Sequence, residues 1–285
     1  VATTTIYANV DNIEPYDQLF LWNESQSDSP VVTHTFPVTF NTAIPSWLRM
    51  HFFPAATAFN GDTDRSTQSY GSCGATLISP SYVLMATHCK PTRVWYKQAN
   101  GTEITRDITT STDIENDLSV GKLDTPVTTI DPAYVLLDSS VAAGRKAILT
   151  ETNRMFVVYD VRSDHSNSED FPQMERVEPV DIPAVALESG DSGHPFVIYF
   201  NQLPALVTGG LFGTGAGPFN GQYLYTAQGP NPSHYITEIN AYLALGGEEL
   251  SLLDVRFVQA GGVAQSPFFS PANAPISLLT AMGIV

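Results

Sequence analysis

Before Ser233 the chain nowhere sustains the 3.6-residue apolar period of a long helix; short β-rich runs cut by turn residues take its place. Val31–Phe40 is one strand-like patch, and Cys73–Cys89 and Asn116–Pro126 are two more β-rich or apolar-alternating runs. Thr, Val, Tyr, Phe, Pro and Gly are plentiful while charged residues make up only 15% of the chain, a balance that favours many short strands joined by turns. A chain of 285 residues buries a large core, as one big or two smaller domains. No run of eighteen apolar residues occurs, so a membrane-spanning helix is not expected. The formal charge of −16 repels nucleic-acid phosphates and suits a soluble protein with a solubilising surface.

Within this framework one turn carries chemistry. Glu188-Ser-Gly-Asp-Ser-Gly-His-Pro195 places Ser192 directly after an aspartate and between glycines 190 and 193. A serine hydroxyl is a weak nucleophile at neutral pH and needs a base for its proton and donors for the oxyanion its attack creates. A sharp turn at the glycines would aim the N–H groups of Gly190 and Ser192 at one spot, an oxyanion hole. Candidates for the base and its orienting carboxylate lie upstream: His88, at the end of the Cys73–Cys89 run, and Asp117, at the start of the next apolar-alternating run. Taken singly, each has a plainer reading. Gly-Asp-Ser-Gly is commonly just a turn, a histidine beside a cysteine is commonly structural, and Asn-Asp before an apolar run is commonly a cap or turn.

Together and in the order His, Asp, Ser, the three segments resemble the chymotrypsin-like (trypsin-like) serine peptidase family. Cys73-Gly-Ala-Thr-Leu-Ile and Val83-Leu-Met-Ala-Thr-His-Cys89 follow the family's C-G-G-x-L-I and V-L-T-A-A-H-C with the same cysteine spacing. Asn116-Asp-Leu-Ser-Val-Gly-Lys-Leu-Asp-Thr-Pro126 follows N-D-I-A-L-x-K-L…P, and the serine segment follows G-D-S-G-G-P with His194 in place of one glycine. The likeness spans about Ser46 to Leu245.

The resemblance implies an all-β fold: two six-stranded antiparallel β-barrels, chymotrypsin-like, with a C-terminal helix and with N- and C-terminal extensions foreign to the family. Residues 1–45 would be the N-terminal extension, 46–140 the first barrel with His88 and Asp117, 141–245 the second barrel with Ser192 and the closing helix, and 246–285 an apolar tail. Pro232–Ala244 has apolar residues at helical spacing, with Ser233 as its expected cap. The resemblance also implies a Cys73–Cys89 disulfide bracing the loop that carries His88, hence an oxidising compartment and a secreted or extracellular protein. Two cysteines without a close second pair make a poor zinc site, so no metal or cofactor is expected. Asn23-Glu-Ser and Asn100-Gly-Thr are acceptor sequons.

For function the resemblance implies a serine endopeptidase acting on protein or peptide substrates through an acyl-enzyme. His88 would be the base, Asp117 its orienter and Ser192 the nucleophile, with activity lost as acid protonates an imidazole of ordinary pKa ~6.5. The primary specificity pocket would have Ala186 as its floor, Leu211, Phe212 and Gly213 as one wall and Gly221 as the other, accepting an apolar side chain because no buried carboxylate meets a cation. No Ile-Val-Gly-Gly-like start precedes Cys73 at the family's distance, so Asp191 needs a partner other than a freed amine: His194, Arg145 or backbone donors. The short His88-to-Asp117 gap and the absence of further disulfides match the spare bacterial and viral relatives. The start at Val1, without methionine or leader, reads as a processed product.

Beyond Arg256 no charged side chain occurs, and Phe257, Val258, Phe268, Phe269, Ile276, Leu278 and Leu279 would be costly to leave in water. The tail is expected to pack on the body or on an assembly partner. Two other functions stay open at this point: a non-catalytic binding or structural module on the same fold, and a glutamyl-type or viral polyprotein-processing peptidase.

Overall fold

The computed structural model describes residues 2–9, 21–23, 57–60, 73–97, 103–129, 131–150, 155–162, 172–179, 192–200, 203–209, 213–219, 222–258 and 264–265, and the account below concerns these. Two short early strands, β1 (Ala2–Asn9) and β2 (Leu21–Asn23), precede the first closed unit. That unit comprises β3 (Thr57–Asn60), β4 (Gly74–Ser79), β5 (Tyr82–Ala86), β6 (Arg93–Lys97), β7 (Glu103–Glu115) and β8 (Leu118–Leu123). They close as an antiparallel six-stranded barrel in the order β3-β4-β5-β8-β7-β6. The barrel expected around His88 and Asp117 is therefore present.

β4 and β5 are buried along their whole length, so neither strand has a solvent-facing side. Ala75 pairs with Met85 and Leu77 with Val83, while the intervening Thr76 pairs with Leu84. Because cross-strand partners share a face, Leu84 points away from the side taken by Val83 and Met85. It packs beside Leu118 and Gly209, and a Cβ on Gly209 would collide with a Leu118 methyl. The second half of the chain thus approaches the outer face of the first barrel closely enough to require a residue with no side chain.

The second sheet contains β9 (Tyr134–Leu136), β10 (Lys146–Thr150), β11 (Met155–Val161), β12 (Gln173–Pro179), β13 (Phe196–Phe200), β14 (Leu203–Leu206), β15 (Gly213–Phe219), β16 (Gln222–Gln228), β17 (Ser251–Val258) and β18 (Ala264–Gln265), joined by β1 and β2. Its path is β1-β17-β9-β14-β13-β10-β11-β12-β16-β15, with β18 on β17 and β2 on β11. Closure of this sheet into a second six-stranded barrel is not seen among the described residues. Instead the sheet is widened by strands from both ends of the chain: β1 runs parallel to β17 from Ala2↔Ser251 to Asn9↔Val258, and β17 runs parallel to β9.

Phe257, at the end of this added strand, is buried against Phe200 of β13. The tail residue Phe257 therefore packs on the body, as one of the two expectations had it. The side chain of Val258 and residues Phe268, Phe269, Ile276, Leu278 and Leu279 lie outside what is described, as do Asn100 and the strand-like patch Val31–Phe40.

The closing helical segment starts with a 3₁₀ turn (Pro232–Tyr235), continues as α1 (Ile236–Leu243) and ends in a second 3₁₀ turn (Ala244–Gly246). Its cap is Asn231 rather than Ser233. The Asn231 side-chain oxygen accepts from Ser233 N at 3.0 Å, and Pro232 at the first helical position needs no amide partner. Ile239 and Leu243 are fully buried, and Tyr242 meets Tyr82 of β5 edge-on at 5.6 Å.

Candidate active site

β5 and β8 pair up to Ala86↔Leu118, so continuing this register places Thr87 and His88 beside Asp117. Thr87 N donates to Asp117 O at 2.8 Å, extending the ladder by one bond. The β7–β8 connection is a two-residue turn, because Glu115 pairs with Leu118 across it. Its two central residues, Asn116 and Asp117, both have positive φ, 49° and 65°. Two-residue hairpins of this hand demand that conformation, and Asn and Asp are the side-chain-bearing residues that tolerate it best.

The turn aims the Asp117 carboxylate at residue 88 with both oxygens in use. Oδ1 accepts from the His88 backbone N at 2.9 Å, and Oδ2 lies 2.6 Å from His88 Nδ1. An ionised carboxylate only accepts hydrogen bonds, so the ring proton sits on Nδ1 and the neutral imidazole keeps its lone pair on Nε2. The His88 side chain is 48% exposed, whereas Asp117 is mostly covered at 23%.

A second set of bonds staples the histidine loop to the same hairpin. The hydroxyls of Thr87 and Ser119 lie 2.7 Å apart, and Ser119 donates to Asp113 Oδ1 at 2.8 Å. Lys90 Nζ holds the same carboxylate at 2.6 Å and 2.9 Å. The Lys90 ammonium first, and the Ser119 hydroxyl second, keep the Asp113 carboxyl below its ordinary range. Sequence reasoning passed over Thr87, Ser119, Asp113 and Lys90; the only local signal was a run of short polar residues in a strand bordering the motif.

Cys73 and Cys89 form the expected disulfide, tying the residue after His88 to the residue before Gly74. Gly74 N in turn donates to Ser192 O at 2.7 Å. Ser192, partly exposed, thus sits on a segment bonded to the start of β4, and β4 is cross-linked to the histidine loop. The contact is intimate. Gly193 has φ 80°, and a Cβ there would lie well under 3.0 Å from Gly74 O. A Cβ on Gly74 would likewise strike the ring of His194, which is completely buried. The histidine that replaces a glycine of the family text therefore occupies space that Gly74 leaves open.

Arg145 is also completely buried, but at the other end of β13. Its guanidinium carbon lies 4.2 Å from the centre of the Phe257 ring, its Nε donates to Val141 O at 2.7 Å, and Phe257 itself contacts Phe200. Because β13 runs from Phe196 to Phe200, this places Arg145 beside the strand end remote from Ser192. Asp191, Gly190, Ala186, Leu211, Phe212 and Gly221 lie outside the described residues; Gly213 opens β15 and pairs with Gln228. Among the described residues no group of three or more His, Cys, Asp or Glu is placed to hold a metal ion, and no helix is long and apolar enough to cross a membrane.

The family model for trypsin matches residues 55–228, which takes in all three motif segments. The chain belongs to the trypsin family. Solved structures similar to this trypsin-family chain include a scabies mite inactivated protease paralogue, 15% identical, covering 69% of this chain and 96% of its own with a TM-score of 0.45. Another is kallikrein-related peptidase 10, 19% identical, covering 67% of this chain and 95% of its own with a TM-score of 0.46. No match was found among curated proteins.

Proposed function

We propose that this trypsin-family chain is a serine endopeptidase whose charge-relay residues are His88, Asp117 and Ser192. The observation that carries the reading is the two-pronged grip of Asp117 on residue 88, through the backbone amide and Nδ1 together. That grip fixes the ring's tautomer and orientation, and it serves an imidazole that must accept a proton at Nε2. The bonded path from His88 through Cys89, Cys73 and Gly74 to Ser192 supports the serine as the group that delivers that proton.

In the proposed cycle, Ser192 Oγ attacks the scissile carbonyl carbon as its proton passes to His88 Nε2. The resulting oxyanion is held by the N–H groups of Gly190 and Ser192. Nε2–H then protonates the leaving amine as the carbon–nitrogen bond breaks, and water hydrolyses the acyl-enzyme by the same transfers in reverse roles. Ala186, Leu211, Phe212, Gly213 and Gly221 form the pocket for a medium or large apolar side chain before the cut. Residues 46–140 and 141–245 act as the two catalytic halves, the second being the family's second barrel, with 1–45 and 246–285 as extensions. The disulfide supports an oxidising compartment and a secreted protein.

The test is a fluorophosphonate probe read by peptide mass mapping, run with a mixed peptide library on the chain and on its Ser192→Ala variant. Labelling at Ser192 and cleavage after apolar residues, reduced roughly 10⁶-fold in the variant, are expected. Near-normal cleavage by the variant overturns the assignment. Folded protein that neither labels nor cleaves identifies a binding module on a peptidase fold.

A further inference from the structure

The turn that carries Asp117 is held from outside its own barrel. Asn116 Nδ2 donates to the hydroxyl of Tyr235, a residue 119 positions away at the junction of the first 3₁₀ turn and α1. Tyr235 is buried, and its segment is anchored by Asn231, whose side-chain amide donates to Ser139 Oγ at 2.8 Å. A second link, between Thr110 of β7 and the hydroxyl of Tyr242 at 3.1 Å, ties the same helix to the same hairpin. Asn116 and Asp117 are adjacent left-handed residues of one two-residue turn, so a change in the Asn116 backbone torsions swings the Asp117 carboxylate.

We infer that Tyr235 is a positioning residue for the His88–Asp117 pair, acting through the side chain of Asn116. The closing helix thereby sets the aim of the carboxylate: the phenol pins Asn116, Asn116 fixes the turn, and the turn presents Oδ1 and Oδ2 to residue 88. This rests on the peptidase reading above for its catalytic consequence, although its geometric content does not.

The experiment uses the full chain carrying Ser192→Ala, so that the readout does not need activity. The NMR signal of the His88 Nδ1 proton, which reports the bond to Asp117, is recorded for the parent, for Tyr235→Phe, for Asn116→Gly and for the double variant. Phe keeps the ring and removes the hydroxyl; Gly accepts the positive φ and removes the amide. Each single change is expected to shift the proton upfield and broaden it, and the double change to add nothing, because both cut one bond. With Ser192 restored, Tyr235→Phe is expected to lower kcat about tenfold with little change in KM. A proton signal unchanged in both single variants overturns the inference. If Tyr235→Phe does not fold, Asn116→Gly decides by the same signal. A responsive Nδ1 proton, when the chain that retains Ser192 takes no fluorophosphonate label, sinks the peptidase reading and leaves the positioning role standing; labelling of that chain with an unresponsive proton does the reverse.

Discussion

At Asp117 one residue combines a backbone conformation that L side chains avoid, at a cost of about 1–2 kcal/mol, with bonds from both the amide and the ring of His88. Those bonds offset the strain, and they make the carboxylate hard to replace. Asp117→Asn keeps a side chain suited to the turn but offers an N–H where Nδ1 needs an acceptor. It is expected to lower turnover roughly 10⁴-fold while leaving the circular dichroism spectrum unchanged. Asp113 behaves differently. Its folded-state carboxyl titrates below its ordinary value because of Lys90 and Ser119, so its contribution to stability is whole above pH ~4, the unfolded value, and is lost as the pH falls through the lower folded value. Asp113→Asn should therefore lower stability slightly near neutral pH and flatten its loss on acidification, as acid-unfolding curves of the two proteins would show. The pair is largely exposed, so the effect is small.

Between elements, the site is assembled from hairpin ends that meet because their strands are in register, and from one covalent clamp. The Cys73–Cys89 bridge closes a loop with a sequence separation of 16 and secures the histidine loop beside the strand that contacts Ser192. Replacing both cysteines by alanine is expected to cost about 3 kcal/mol on the chain-entropy argument, measured as a lower urea midpoint, with a further drop in probe labelling at Ser192. Much at this scale was legible in the sequence, since the disulfide, the His88 loop and the Asn116-Asp117 turn each leave a local text. The bonds that reinforce them leave none. Thr87 to Ser119 spans 32 positions and Asn116 to Tyr235 spans 119, and no periodicity in a polar segment records which distant hydroxyl it will meet. Asn231 displaced Ser233 as the cap for a local reason, because Pro232 sets the first helical residue and moves the capping position back by two.

For the whole molecule, the sequence foretold a buried first barrel and a packed Phe257, but not the widening of the second sheet. β1 looked like part of a polar extension because of its run Thr3, Thr4 and Thr5, which the structure leaves exposed, with Ile6 partly covered. Its role comes from the backbone, which pairs along eight residues of β17. Deleting residues 1–9 is expected to bare that edge, lower the thermal midpoint by several degrees and promote self-association, seen as a concentration-dependent shift in size-exclusion elution. Arg145 was legible as a charge but not as the buried cation lying over Phe257, since an arginine directly followed by Lys146 gives no hint of the aromatic face it will find. The parallel pairing of Ala2 with Ser251 also has a temporal side. A ribosome extrudes the first strand long before its neighbour exists, so that strand must wait in the nascent chain, unladdered, until residue 258 has cleared the exit tunnel.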